Sequence, residues 1–183
     1  MKLAASVYAD PAWLQRVVIR LVTAADLPAL EWEGEYVHFR RVYARVFARM
    51  QTGQSLMWLA ELPGGPALGQ VFVQLHSEAD PSAADGRRRA YIHAFRVRRA
   101  LRGRGLGSQL LTHAEADLWT RGFREVCLQV ADDNPHALRL YQRLGYEIVE
   151  PVAGDWTYYD HLGRLQQISE IGWRLLKTLH TAD

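Results

Sequence analysis

Between Val97 and Ser108 the chain runs Val-Arg-Arg-Ala-Leu-Arg-Gly-Arg-Gly-Leu-Gly-Ser, and the three alternating glycines limit what can lie on either side. Ahead of them, Tyr91-Ile92-His93-Ala94-Phe95-Arg96-Val97 alternates like a strand. Behind them, Leu106, Leu110, Leu111, Ala114 and Leu118 keep helical spacing through about residue 120, and Gly122 stops the helix. A strand that turns through glycines into a helix leaves the first amides of that helix without intrahelical acceptors. Such a start attracts anions, and glycine lets a phosphate oxygen come against the main chain. The surrounding arginines add bidentate donors. The run reads as a pyrophosphate cradle.

Two familiar phosphate loops fit poorly. A dinucleotide fingerprint counted from Gly103 needs glycine where Ser108 stands, although Glu125 lies near the distance at which such loops carry their ribose-binding acid. A Walker loop needs a lysine, and the run has none. Arg-x-x-Gly-x-Gly fits, at Arg102, Gly105 and Gly107. A second strand, Val126 to Val130, follows the helix. Asp133-Asn134-Pro135 then caps a further amphipathic helix carrying Ala137, Leu138, Leu140, Tyr141 and Leu144 and closed by Gly145. Together, the first motif and Asn134-Pro135-His136 through Leu144-Gly145-Tyr146 resemble the acyl-CoA signature of the GNAT superfamily of N-acetyltransferases. The resemblance covers roughly residues 90–150.

The resemblance implies an α+β fold with a mixed, mostly antiparallel sheet flanked by helices and with its central strands splayed. The rest of the chain agrees in order. Val17 to Val22 reads as a strand; Thr23-Ala24-Ala25-Asp26 starts a short helix, and Tyr36 to Met50 forms a second one. Leu56 to Leu62 and Leu68 to Leu75 are strands joined at Pro63-Gly64-Gly65-Pro66. Ser77 to Gly86 is expected as a polar, mobile loop. Glu147-Ile148-Val149 begins the end of the sheet, Trp156 to Tyr159 and Leu165 to Ile168 form a hairpin, and Trp173 to Leu179 is a last strand.

By the same resemblance, the main chain of Phe95, Arg96 and Val97 would run beside the pantetheine arm of acetyl-CoA. Arg102, Gly103, Arg104, Gly105, Leu106, Gly107 and Ser108 would hold its pyrophosphate, and Asn134 would contact the cofactor as well as cap its helix. The reaction implied is direct transfer of the acetyl group to a primary amine in a ternary complex, with a backbone N–H near Phe95 on the thioester oxygen. Tyr141 matches the family's general acid; a core aromatic is the other reading of that position. The base is open between His93, with an ordinary pKa near 6.5, and a water chain. Tyr91 and Gln129 stand where some relatives carry a glutamate. A homodimer through the terminal hairpin is a further implication of the resemblance.

At 183 residues the chain reads as one domain, 1–183, with 49% hydrophobic and 23% charged residues, as a globular protein has. No apolar run reaches bilayer length, and Met1 to Arg16 lacks the apolar core of a secretory leader, so no membrane partner is expected. One cysteine, Cys127, sits in a buried-strand pattern and suits a reducing cytoplasm as an inert core thiol. No metal is expected. A net charge of +2 argues against nucleic acid, although Arg87, Arg88, Arg89, Arg96, Arg98, Arg99, Arg102 and Arg104 crowd one region. Those arginines read as a solvated face, as an attraction for anionic CoA, or as an RNA patch without interleaved aromatics. In the fold that the resemblance implies, acceptor sites form between the first two helices and the terminal strands, where Glu31, Glu33 and Glu35 with Trp32 and Tyr36, and Trp156, Tyr158 and Tyr159, stand. These groups suit a cationic amine, or are a solvated turn with packing aromatics. The alternative to an enzyme is a silent module that senses acyl-CoA.

Overall fold

Ser55 to Ala60 and Ala67 to Val73 are buried without interruption, which a strand shows only when both faces of its sheet are covered. The computed structural model describes residues 11–180, so the first ten residues of the stretch read for a leader lie outside it. Strands β1 (Val18–Leu21), β2 (Ser55–Glu61), β3 (Ala67–Gln74), β4 (Arg89–Val97), β5 (Glu125–Ala131), β6 (Glu147–Tyr159) and β7 (Leu165–Thr178) form one sheet in the order 1-2-3-4-5-7-6. Among the described residues only the β4–β5 pair is parallel. Helix α1 (Arg40–Gln51) and the 3-10 helix Ala24–Glu31 cover one face; α2 (Leu106–Thr120) and α3 (Pro135–Arg143) cover the other. No helix among the described residues is long and apolar enough to cross a membrane.

Each face has its own core. Leu106, Leu110, Leu111, Ala114 and Leu118 of α2 are fully buried against Leu68, Val71, Val73, Ile92 and Leu128. Each such leucine adds about 2 kcal/mol of transfer free energy, which holds α2 to the sheet. Tyr43 and Val46 of α1 pack with Val22, Leu30, Met57, Leu59 and Phe72 on the opposite side. The helix starting at Thr23 is held by Asp26, whose carboxylate accepts from both the Thr23 N–H and hydroxyl at 2.7 Å. Arg20 of β1 grips the same carboxylate and Glu61, which drives the Asp26 acid far below its usual range.

The C-terminal third departs from the sequence reading. The expected short strands are two long ones, β6 and β7, paired from Glu147↔Leu176 to Tyr159↔Leu165. β7 inserts between β5 and β6 over its second half and pairs with β6 alone over its first, so burial changes along a strand that does not break. Asp160 fixes the turn by accepting the N–H groups of Leu162 and Arg164, and Arg164 beside it holds its acid down to about 2. The loop 77–86, expected to be mobile, is anchored: Ala83 and Ala84 are buried, and Asp85 accepts three successive N–H groups from Arg87, Arg88 and Arg89. Cys127 is buried and donates to the Ala83 carbonyl, and burial raises its thiol to about 11.

Helix α2 is tied to the far strand by a buried triad. Glu115 accepts from the Tyr146 hydroxyl at 2.7 Å and from Lys177 Nζ at 2.5 Å. Glu115→Ala leaves a buried phenol without an acceptor and a lysine without its counter-ion. It is expected to cost about 2 kcal/mol in urea unfolding, with Tyr146→Phe costing less; a loss below about 0.5 kcal/mol would show that the triad is not a structural tie.

Candidate active site

β4 and β5 pair only from Arg89↔Glu125 to Ile92↔Leu128. Beyond that point β5 continues along β7 while β4 continues along β3, so a wedge opens between residues 93–97 and 129–131. On its other edge β4 carries a bulge. Gln70 faces Arg96 and Phe72 faces His93, so Val71 stands against two residues, Ala94 and Phe95. Ala94 takes a left-handed φ of +48°, and its carbonyl accepts from the buried Gln70 amide at 3.4 Å. Ala94 and Phe95 therefore have no register partner on either neighbouring strand.

The bulge also shifts the alternation of side chains by one residue. Ile92, Phe95 and Val97 all pack into the core on the α2 side, while Ala94 packs on the α1 side. His93 and Arg96 share the α1 side with Ala94, against Phe72 and Tyr43. The wedge thus has a wall toward α2 and α3 and a separate chamber toward α1.

At the α2 end, no protein acceptor faces the N–H groups of Gly103, Gly105, Leu106, Gly107 and Ser108 among the described residues. The first helical bond runs from the Gln109 N–H to the Gly105 carbonyl at 3.0 Å. Gly105 has a φ of +90° as the residue before the helix, a conformation that a side chain would strain. At Gly107 a Cβ would lie 3.2 Å from Phe95 Cζ and 3.5 Å from Leu140 Cδ2, so glycine lets the helix start close against both. The ring of Phe95 lies 6.2 Å from that of Tyr141, which brings the strand end, the helix start and α3 to one place.

Tyr141 is buried, and its hydroxyl has no hydrogen-bond partner among the described residues. Burial pushes its phenol well above the usual range, so it keeps its proton at neutral pH. Asn134 caps α3 by accepting the Ala137 N–H at 3.2 Å. Arg102, the arginine of the first motif, turns back and donates Nε–H to the Val97 carbonyl at 3.1 Å. One lone pair of the carbonyl expected to meet a pantetheine arm is thereby used, and this arginine braces the turn.

The arginine-rich region does not present one basic face. Arg88 and Arg89 pair with Glu125, and Arg98 holds Glu33 with two hydrogen bonds, of 2.8 and 3.0 Å. Arg96 leaves the cradle side altogether; its guanidinium lies 4.3 Å from the centroid of the Tyr36 ring, and Nη1 donates to the Tyr43 hydroxyl at 3.0 Å. The acids thought to suit a cationic amine are also engaged, Glu31 by Arg40 and Glu33 by Arg98. Phe39 packs against the β6 aromatics, with Tyr158 at 4.9 Å and Trp156 at 6.3 Å between ring centroids. The sequence reading missed the bulge, which has no signal when the left-handed residue is alanine. It also missed Gln70, whose position in an apolar strand was the available sign.

Residues 24–146 match the Acetyltransferase (GNAT) family. The chain belongs to the GNAT acetyltransferase family. A mycothiol acetyltransferase of Saccharomonospora viridis is 30% identical over 130 residues, which are 70% of this chain and 42% of that relative. The chain therefore spans less than half of that relative's length. Among solved structures, the ribosomal-protein-S18-alanine N-acetyltransferase from Escherichia coli matches with a TM-score of 0.65 at 21% identity, over 91% of this chain and 96% of that one. Arabidopsis thaliana NAA60 in complex with acetyl-CoA matches equally, with a TM-score of 0.65 at 21% identity over 88% and 98%. These likenesses are of fold.

His93 departs from expectation within this fold. Burial and the nearby Arg96 charge lower its pKa to about 4, so it is neutral at physiological pH and holds a proton poorly. Its ring stacks on Tyr91 at 6.0 Å and meets Phe72 edge-on at 5.8 Å. Because the folded value lies below the unfolded value of about 6.5, the unfolded state binds more protons between the two. Stability is expected to fall as pH drops from about 6.5 to about 4, and His93→Gln should flatten that decline in pH-dependent melting. An unchanged slope in the variant would show that His93 is not buried in its neutral form.

Proposed function

We propose that the protein is an N-acetyltransferase that carries the acetyl group of acetyl-CoA directly to a primary amine. The observation that carries this reading is the opening of β4 from β5 in front of a helix start whose amides have no protein acceptor among the described residues. Gly103, Gly105, Leu106, Gly107 and Ser108 present N–H groups to the pyrophosphate, aided by the α2 dipole. The arm then lies along the unpartnered main chain of Ala94 and Phe95 in the manner of an added strand. A mobile pantetheine is thereby aimed along one edge, and the thioester is brought toward the bulge.

The chemistry follows from which groups can move protons. The acceptor must lose a proton from its ammonium before its nitrogen can attack the thioester carbon. His93, with its low pKa, is a poor holder of that proton, so water takes it out, with His93 as an acceptor in the chain. As the C–N bond forms and the C–S bond breaks, an N–H near Phe95 stabilises the charge on the carbonyl oxygen. Tyr141, kept protonated by burial, donates its hydroxyl proton to the departing sulfur. The second proton shed by the attacking nitrogen restores Tyr141, and the products are the amide and the free thiol. A homodimer through the β6–β7 hairpin belongs to the same reading, supported by the exposed Tyr159, Leu162, Leu165 and Ile171 on those strands and their turn.

Acetyl-CoA at 100 times its dissociation constant is expected to stabilise the protein by about 2.7 kcal/mol in thermal denaturation. Gly105→Val should abolish most of that gain at equal ligand. Tyr141→Phe should keep the gain and lower kcat for amine-dependent thiol release roughly 10²-fold. Stabilisation by acetyl-CoA without thiol release from any amine would favour an acyl-CoA sensor over an enzyme.

A further inference from the structure

Arg96 lacks a carboxylate partner among the described residues, unlike Arg40, Arg98 and Arg164 around the α1-side chamber. The neighbouring acids are satisfied: Glu31 by Arg40, Glu33 by Arg98, and Asp160 by Arg164 and Gln166. Glu35, which is exposed, lies at the Tyr36 hydroxyl. Arg96 has no carboxylate within 4.0 Å among the described residues; its one hydrogen bond goes to the neutral Tyr43 hydroxyl, and Tyr36 and Phe39 present ring faces at 4.3 and 5.0 Å. Of the five N–H donors of a guanidinium one is used, and the remaining nitrogens are not sealed from solvent.

Its position matters as much as its valence. Arg96 is the residue after the unpartnered Ala94–Phe95 pair, and the bulge turns it into the α1-side chamber. An anion held there lies within one or two residue lengths of the bulge, roughly 3–7 Å along the strand. His93 and His38 share the chamber, and both are pushed toward the neutral form, by burial first and by Arg96 second. Arg49 and Arg102 also act on this region but bond to the carbonyls of His76 and Val97, whereas the Arg96 guanidinium meets only a phenol and two ring faces. That guanidinium is therefore a cation without a carboxylate partner among the described residues. It repels a polyamine, attracts a carboxylate, and lowers the pKa of an ammonium brought beside it, which favours the reactive neutral amine.

We propose that Arg96 sets acceptor specificity by holding a carboxylate of the substrate, so that the acceptor is an amine that also bears an acid group. This rests on the acetyl-transfer reading and goes beyond it in naming the acceptor class. An amino acid and an acidic peptide terminus supply the same chemistry. The wall of Phe39, Trp156 and Tyr158 beside the chamber favours an aromatic side chain on the former.

The test is the rate of thiol release from acetyl-CoA with matched acceptors. One arm compares phenylalanine with phenylalaninamide and phenethylamine; a second compares an Asp-initiated tripeptide amide with its Asn-initiated counterpart; spermidine is the cationic control. The acid-bearing member of at least one arm is expected to have a kcat/KM at least about tenfold higher than its neutral partner, and that arm identifies the source. Arg96→Gln should erase the preference, mainly through KM, and Arg96→Lys should retain part of it. Melting curves of both variants establish that they are folded. Turnover of amines with no preference for the acid, or a preference that survives Arg96→Gln, would overturn the proposal and leave the transferase reading intact. Absence of turnover with every amine would overturn both.

Discussion

β4 cannot stay paired with β5 past Ile92, because β3 and β7 draw the two strands along diverging paths. The geometry that follows depends on that separation. A sheet interior normally satisfies every backbone group, and leaving several open is costly unless another chain or a ligand supplies partners. Here the gap is flanked by a helix start whose amides, and by a buried tyrosine whose hydroxyl, have no protein partner among the described residues. The bulge at Ala94 divides the gap into two sides, one facing α2 and α3 and the other facing α1. In the proposed reading, a cofactor channel and an acceptor chamber both come from this single irregularity in one strand.

The rigidity around the gap has identifiable sources. α2 is held by its buried leucines and by the Glu115 triad, which fixes the helix whose N-terminus forms the cradle. Arg102 braces the turn against Val97, and Arg98 reaches Glu33 and the Ala67 carbonyl, tying the segment after the first short helix to the end of β4. Most of the basic residues that crowd the sequence near the cradle are thereby structural. The attraction for an anionic ligand falls mainly on the main chain, where it is set by backbone geometry.

Much of this was legible in the sequence because local rules and tertiary packing agree there. The Gly103–Gly107 run, the leucine spacing of α2 and the Asn134-Pro135 cap each specify a structure through steric and hydrogen-bonding needs that tertiary context did not override. Where packing decided the outcome, local pattern failed. β7 continues through Ser169 and Glu170 because β6 pairs with them, although the polar pair reads as a break. The loop 77–86 is polar in composition, yet Ala83 and Ala84 bury themselves against the sheet. Side-chain direction was the least legible feature: strict alternation would place Phe95 with His93, and the bulge places Arg96 there instead.

Amide hydrogen exchange with and without coenzyme A is the most direct measure of whether the parted strands and the bare helix start form one ligand site. The account predicts new protection at Gly103, Gly105, Leu106, Gly107 and Ser108 and in residues 94–97 of β4, with little change in β1, β2 or β6. Protection confined to other parts of the sheet, or none at saturating ligand, would contradict it.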